Sequence, residues 1–362
     1  MTAPSPTPLT ARGDRAIVTA RLGALFRIFY VNLILTIVTL GIYRFWAKTK
    51  LRRYIWRNVV IGGESFEYTG TGKELLIGFL KAVVVLFVPL VLIGVLELAL
   101  NPPWDSIVGA LKFVAIVIVF TAGSYAARRY RMSRTTWSGI RFQQTGSPWR
   151  YVWLTVRGSL LSALTLGLYV PWFRTQITAY ETANLHLGSE PFRFTGVGRD
   201  LFKRWLVVWL VAVVSLVVVG LAVGATAWTL AGTLAQDTKA LVWTFAPLTA
   251  LVIAALLTAL PFMWYRAAEM RYYASHTRLG DLRFTLSVRG RNILGFYLMN
   301  ALILAVTLGI AFPVLIRRRV TFWTRWLTLD GTLDLAAIHQ TERGPRTGEG
   351  LANFFDMDFL GV

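Results

Sequence analysis

Arg157 is the residue in this chain whose position most invites chemistry. It stands in the middle of an apolar segment over 151–170, one residue before Gly158, where an ionised group marks a functional site by default. Three other ionisable residues interrupt apolar runs. Lys81 sits near one end of its run and can extend to water along its own stem, while Glu97 and Lys112 occupy facing ends of adjacent runs and either pair or reach water. Arg44, Lys48, Arg52 and Arg53 interleave with Tyr43, Trp46, Tyr54 and Trp56, and Trp172 repeats the placement of Trp46 in a second copy of the same phrase. Such a mixture stacks on single-stranded nucleic acid in a soluble protein. Beside long apolar runs it is the interfacial belt, with Trp and Tyr at headgroup depth and Arg reaching phosphate, so anionic phospholipid headgroups are the expected partner and nucleic acid is not.

Catalytic and metal chemistry find little support. The three histidines, His186, His276 and His339, fall at different offsets from neighbouring strand-like pieces and lack ligand spacing. Cysteine is absent, which removes thiol, disulfide and Cys-type zinc chemistry. The glycine turns TGTGKEL (69–75) and TGVGRDL (195–201) lack the Ser or Thr that follows the lysine of a phosphate loop; Glu74 and Asp200 stand there instead, favourable to the dipole of a following helix. No enzyme activity and no cofactor are expected.

The elements carrying these residues are those of a membrane protein. Of 362 residues 55% are hydrophobic and 15% charged, with a formal net charge of +20, and the apolar residues fall in blocks. Four runs reach bilayer-spanning length: 75–100, 107–127, 203–230 and 240–264, forming two helical hairpins. Three shorter apolar segments, about 24–43, 151–170 and 293–315, each end in Thr-Leu-Gly: VTLGIYRFW at 38–46, LTLGLYVPW at 164–172 and VTLGIAFPV at 306–314. Seven positions before each Thr stands a polar or helix-weakening residue, namely Asn32, Gly158 and Asn300. Asn32 and Asn300 therefore join Arg157 as candidate substrate or lipid contacts. Six basic stretches hold 34 of the 38 Lys and Arg. All six remain on the cytoplasmic side if the Thr-Leu-Gly segments re-enter or lie at the interface; seven tilted spans, the alternative, export at least two of them.

After each basic stretch a glycine and a short alternating piece follow. Phe66 and Tyr68, Ile140 and Phe142, Phe192 and Phe194, Leu282 and Phe284, and Leu333 and Leu335 each stand two apart, the period of a half-buried strand. The expected fold is thus an all-α polytopic membrane protein with internal repeats. It has four full transmembrane helices, three re-entrant or interfacial helices, and short cytoplasmic strands pairing into a small sheet. Its expected organisation is a disordered cytoplasmic arm over 1–23, repeats over 24–150 and 151–292, a partial repeat over 293–340 and a tail over 341–362, with both termini cytoplasmic.

Residues 32–80 resemble the YjgN-like family of bacterial inner-membrane proteins, through Thr39, Leu40, Gly41, Tyr43, Trp46, the Lys and Arg run, Phe66, Tyr68, Thr69, Gly70, Gly72 and Glu74. Residues 160–205 repeat the pattern more weakly, and in the third copy Ala311 and Val314 replace Tyr43 and Trp46. The resemblance implies a multi-pass inner-membrane location and carries no reaction or catalytic residue. Function is accordingly expected to be non-enzymatic transport, conduction or lipid handling, with Arg157, Asn32 and Asn300 at the site. The alternative is a scaffold, as a homo-oligomer or with a protein partner docked on its cytoplasmic strands at positions such as Glu67 and Arg193.

Overall fold

The computed structural model describes residues 9–84, 88–234 and 236–340. Its unit is a helical hairpin followed by a β-hairpin, and the unit recurs around a ring. The first helical hairpin is α1 (Leu22–Val38) and α2 (Arg44–Arg57), leading into β3 (Val59–Ile61) and β4 (Glu64–Tyr68). In the second, α3 (Gly72–Ala82) and α4 (Val88–Ala99) are answered by α5 (Trp104–Ser133), then β5 (Thr135–Trp137) and β6 (Ile140–Gln144). The third pairs α6 (Pro148–Leu164) with α7 (Val170–Ala183) before β7 (Leu185–Leu187) and β8 (Glu190–Phe194). The fourth is long, α8 (Arg199–Thr233) and α9 (Gln236–Ser275), before β9 (Thr277–Leu279) and β10 (Leu282–Leu286). The fifth, α10 (Gly290–Thr307) and α11 (Phe312–Trp326), ends in β11 (Leu327–Leu333).

Each strand pairs antiparallel with its neighbours in one eleven-stranded sheet, whose two ends are β1 (Leu9–Arg15) against β11 and β2 (Ile17–Val18) against β3. Only Ala16 separates β1 from β2, so one continuous stretch pairs with the last strand and with the first β-hairpin, and the sheet is a nearly closed barrel. Alternation fills its inside. Leu187, Leu279, Leu282 and Leu329 are buried there with Trp137 and Ile140. Phe66, Phe142, Phe192 and Phe284 follow one another around the wall with ring centroids 6.3, 6.4 and 6.1 Å apart. The far end is closed by the chain after β11, where Leu335 and Ile338 join this core and Ser189 donates its N–H to the His339 carbonyl.

The barrel corrects the expected fold class. The inward faces were legible, but the sheet is no small appendage to an all-α protein. Strands β3, β5, β7 and β9 have three residues each and follow directly on the last helix of their hairpin, too short to show alternation alone. The arm expected over 1–23 supplies β1 and β2 from Leu9 onward; the tail over 341–362 lies outside the described residues.

The helices are also redistributed. Among the described residues four are long and apolar enough to cross a membrane: Trp104–Ser133, Arg199–Thr233, Thr238–Ser275 and Gly290–Thr307. The run over 75–100 carries α3 and α4 on either side of residues 85–87, which lie outside the described residues; α10, expected to be re-entrant, is one continuous helix, because Asn300 meets Arg318 of its partner helix (Nε to Oδ1, 3.0 Å) and need not break it. All five helical hairpins begin and end at the barrel, so its strands lie on one side of the helices. An odd number of spans, as in the seven-span alternative, is incompatible with that topology.

Thr-Leu-Gly is the tip of each short hairpin. Leu40, Leu166 and Leu308 have φ near 50° and Gly41, Gly167 and Gly309 near 90°, so two successive left-handed residues reverse the chain. Thr39 Oγ1 donates to the Leu35 carbonyl (2.7 Å) and accepts from the Tyr43 N–H (2.9 Å). Thr165 and Thr307 repeat both bonds, accepting from Tyr169 and Ala311 at 3.0 and 3.2 Å. A single hydroxyl thus ties the end of one helix to the start of the next.

Candidate functional site

The two arms of each short hairpin differ in chemistry. First arms are apolar and outward: Ile37 and Val38 on α1, Leu160 and Leu164 on α6, and Leu302 and Val306 on α10 are all exposed. Second arms α2, α7 and α11 are rich in charge or hydroxyls, and with α5 and α9 they link into an inner ring. Phe45 of α2 shares a cluster with Ala127 and Tyr130 of α5, and Leu51 and Ile55 of α2 share one with Ile316 and Val320 of α11. Phe322 of α11 and Met270 of α9 pack against one cluster of Ala267, Val288 and Ile293.

The remaining joints are ionic. Arg128 of α5 reaches Glu181 of α7 at 3.0 Å, and the Tyr151 hydroxyl donates to the same carboxylate at 3.1 Å. Burial, then the adjacent Glu181 charge, push the Tyr151 phenol above its ordinary pKa, so it remains a donor. Between α7 and α9, Arg174 reaches the fully buried Glu269 at 3.2 Å. Arg266 completes that carboxylate's ion pairs, and Tyr273 and Tyr265 donate to it at 3.2 and 3.4 Å. Within the second hairpin Glu74 holds Arg134 (3.2 Å) and the Tyr130 hydroxyl (2.9 Å). Glu269, fully buried, and the half-buried Glu181, each matched by guanidinium and phenol groups, fix how neighbouring hairpins meet.

Where a β-hairpin hands over to the next helix, a second pattern recurs. A Cβ added to Gly72, Gly198 or Gly290 would lie 2.6–2.9 Å from the Cα of Trp46, Trp172 or Trp264 respectively. The two members of each pair stand 26 residues apart, 46 to 72, 172 to 198 and 264 to 290. Only glycine lets the helix start come so close, which explains the TGTGK and TGVGR turns without a phosphate loop. A base follows each glycine: Lys73, Arg199, Arg291.

The residues singled out from sequence fall into three groups. Trp46 and Trp172 stand at these notches, half-buried, stacked on Tyr43 and Tyr169 at 6.2 and 5.9 Å. Arg44 is exposed beside the Phe45 and Phe79 rings, Arg53 donates to the Gly70 carbonyl (3.1 Å), and Lys48 is half-buried. Arg52 is buried against the Tyr68 ring. Asn32 and Asn300 are hairpin-packing residues: Asn32 Nδ2 donates to the Ala47 carbonyl (3.3 Å), and Asn300 accepts from Arg318. Gly158 does the same work by smallness, its Cα close against the Phe173 ring. Arg157 points outward, exposed on the face of α6 that carries Trp153 and Leu160, apart from the inner ring. Glu97 and Lys112 form the ion pair their spacing allows. Arg128, Arg174, Glu181 and Glu269 were missed, because a pair formed between separate hairpins leaves no local spacing. Trp264 and its arginines were missed although the 26-residue interval was there to read. Among the described residues no group of three or more His, Asp or Glu is placed to hold a metal ion.

A crown of helical hairpins with apolar outer faces, an ionic inner ring and an aromatic, basic belt above a filled barrel is the build of a multi-pass membrane protein. The chain belongs to the family described as bacterial protein of unknown function (DUF898), whose model matches residues 18–354. It is similar to the inner membrane protein YjgN of Escherichia coli O157:H7, with 31% identity over 142 residues, 39% of this chain and 34% of the relative. The YjgN of strain K12 is 30% identical over the same shares, and that of Salmonella typhimurium LT2 is 29% identical over 156 residues, 42% of this chain and 38% of the relative. The match spans little more than a third of these curated relatives. No solved structure matches the chain.

Proposed function

We propose that this protein is a non-enzymatic, lipid-handling protein of the bacterial inner membrane that holds anionic phospholipid headgroups against the basic belt of its helical crown. The observation carrying this reading is the exposed leucine at each short-hairpin tip. Leu40, Leu166 and Leu308 are 94%, 78% and 90% exposed, in a backbone conformation leucine adopts only at a cost. An apolar tip held out in this way suits hydrocarbon and not water. Arms of 17 residues, as in α1 and α6, reach about 25 Å at 1.5 Å per residue, whereas α8 with 35 reaches about 52 Å.

With a hydrocarbon core of about 30 Å, the long hairpins cross the bilayer and the short ones engage it from the barrel side, α10 with its 18 residues coming nearest of these to crossing. A lipid beside a short hairpin meets Trp46 or Trp172 and the bases of the belt at headgroup depth. The filled barrel disfavours conduction along the ring axis, which leaves the flanks as the lipid-facing route. The relatives' name supports the inner-membrane location, and the basic belt supports the cytoplasmic leaflet for the barrel side and both termini.

The test is lipid retention. The purified chain, reconstituted with equal phosphatidylglycerol and phosphatidylcholine and then re-extracted, is expected to carry phosphatidylglycerol preferentially by native mass spectrometry. Neutralising Arg44, Lys48 and Lys73 together is expected to lower that preference. Equal retention of both lipids by the unaltered chain defeats the reading.

A further inference from the structure

The notch between α9 and α10 differs from its counterparts. A cavity of ≈ 400 Å³ lies there, lined by Trp264, Arg271, Ser287, Arg289, Gly290 and Arg291. Arg204 of α8 lies near enough for its charge, with that of Arg289, to act on Arg271. None of these four arginines has a carboxylate partner among the described residues. Asp200, at the start of α8, is engaged by the Tyr272 hydroxyl at 2.6 Å. Elsewhere in the ring two half-buried arginines that face a neighbouring hairpin are matched, Arg128 by Glu181 and Arg174 by Glu269. Three cations lining a cavity, with a fourth close to Arg271 and no paired carboxylate, repel one another, and an anion in the cavity removes that repulsion.

We infer that this cavity is a binding site for a phosphate-ester anion. Arg271 is braced by its bond to the Val288 carbonyl (2.5 Å), which aims the rest of its guanidinium at the cavity wall. Arg289 and Arg291 are exposed and free to close on a ligand, and the Ser287 hydroxyl adds a neutral donor. Planar guanidinium groups match phosphate oxygens two at a time. Gly290, whose Cβ would sit 2.8 Å from Trp264 Cα, keeps the helix start close to the indole. Trp264 is 73% exposed, a flat apolar surface beside the anion site on which the glycerol and upper acyl region of a lipid can lie. The notch at Trp46 has the same frame, with Arg53 on the Gly70 carbonyl as Arg271 is on Val288, but Thr71 stands there where Arg289 stands here. The notch at Trp264 is therefore a specialised copy of a repeated scaffold. That the phosphate belongs to a phospholipid headgroup rests on the lipid-handling reading; the site itself does not.

The experiment is a titration of the full-length chain in detergent with a short-chain phosphatidylglycerol, with short-chain phosphatidylcholine, and with inorganic phosphate as competitor. The variant Arg289→Ala/Arg291→Ala removes two exposed side chains without ion-pair partners, so the fold is expected to persist. Arg289→Lys/Arg291→Lys keeps the charge and loses the planar fork. Phosphatidylglycerol affinity is expected to fall about tenfold or more in the alanine variant, less in the lysine variant, and to weaken with salt. Lipid binding that phosphate cannot displace assigns a headgroup, and full displacement assigns free phosphate; both uphold the site. Unchanged affinity for both ligands in the alanine variant overturns it. Lipid retention by that variant equal to the unaltered chain would remove the cavity and leave the lipid-handling reading standing. Phosphate binding here without anionic-lipid retention would do the reverse.

Discussion

At the scale of single residues, burial separates charges that organise the molecule from charges that face its surroundings. Glu269 has no exposed surface and holds Arg174, Arg266 and two phenols. Glu269→Gln leaves two guanidinium groups without their carboxylate, and removing one partner of a buried pair costs about 3–5 kcal/mol. The variant is expected to lose most of its thermal stability in detergent, read as the midpoint of light-scattering melts; an unchanged midpoint contradicts the organising role given to this residue. Arg157 is the opposite case. It lies on the outer face of α6 with no protein partner among the described residues, so Arg157→Leu is expected to move stability by no more than about 0.5 kcal/mol. Sequence alone ranked Arg157 first because a charge inside an apolar segment is conspicuous. Glu269 was inconspicuous because it stands in a helix end already dense with polar residues, and its partner Arg174 is in another hairpin.

At the scale of elements, the repeated phrases are joints. Gly198→Ala sets a Cβ within 2.6 Å of Trp172 Cα and 2.9 Å of its N, main-chain atoms that cannot rotate away. The start of α8 must move, and overpacking of this kind costs about 1–3 kcal/mol. Lower yield and a lower melting midpoint are expected, with Gly224→Ala, whose Cβ would meet nothing within 4 Å, as the silent control. Thr165→Val removes a hydroxyl that bonds both arms of its hairpin tip and is expected to cost about 1 kcal/mol, measured in the same melt. Trp205 and Trp209 of α8 donate to the Gly167 and Leu166 carbonyls at 2.8 and 2.7 Å, so this tip is also tied to a spanning helix. The Thr-Leu-Gly repeat was legible as a break, and the strand pairs as inward faces, because both are local patterns. The closed barrel was not, since pairing between strands from different hairpins is set by the ring and leaves no trace in any one segment.

At the scale of the whole molecule, the single sheet places every β-hairpin on one side of the helical crown. The chain has no cysteine, so a single one introduced at Ser65, Ser189 or Asp281 reports on the barrel, and one at Ser106 on the opposite end of the second hairpin. The three barrel positions are expected to react with a membrane-impermeant maleimide from one face of oriented vesicles, and Ser106 from the other only. Reaction of any barrel position from the same face as Ser106 is incompatible with one ring of strands. The sheet also limits how a protein partner would dock: with β1 and β2 bridging its two ends, a peptide finds little open strand edge, and a partner must use the outer faces where Glu67 and Arg193 are exposed.

The seam of the barrel sets an order of events on the ribosome. Gly13 donates its N–H to Asp330 Oδ1 at 2.8 Å across 317 positions of chain, and β1 pairs along β11 from Leu9↔Leu333 to Arg15↔Thr328. β1 is therefore held waiting for β11 until the hairpins between them have been made and inserted. Its pairing edge stays unsatisfied throughout, while the intervening four β-hairpins can assemble in sequence. Transplanting residues 9–18 to follow β11 would turn this distant contact into a local one.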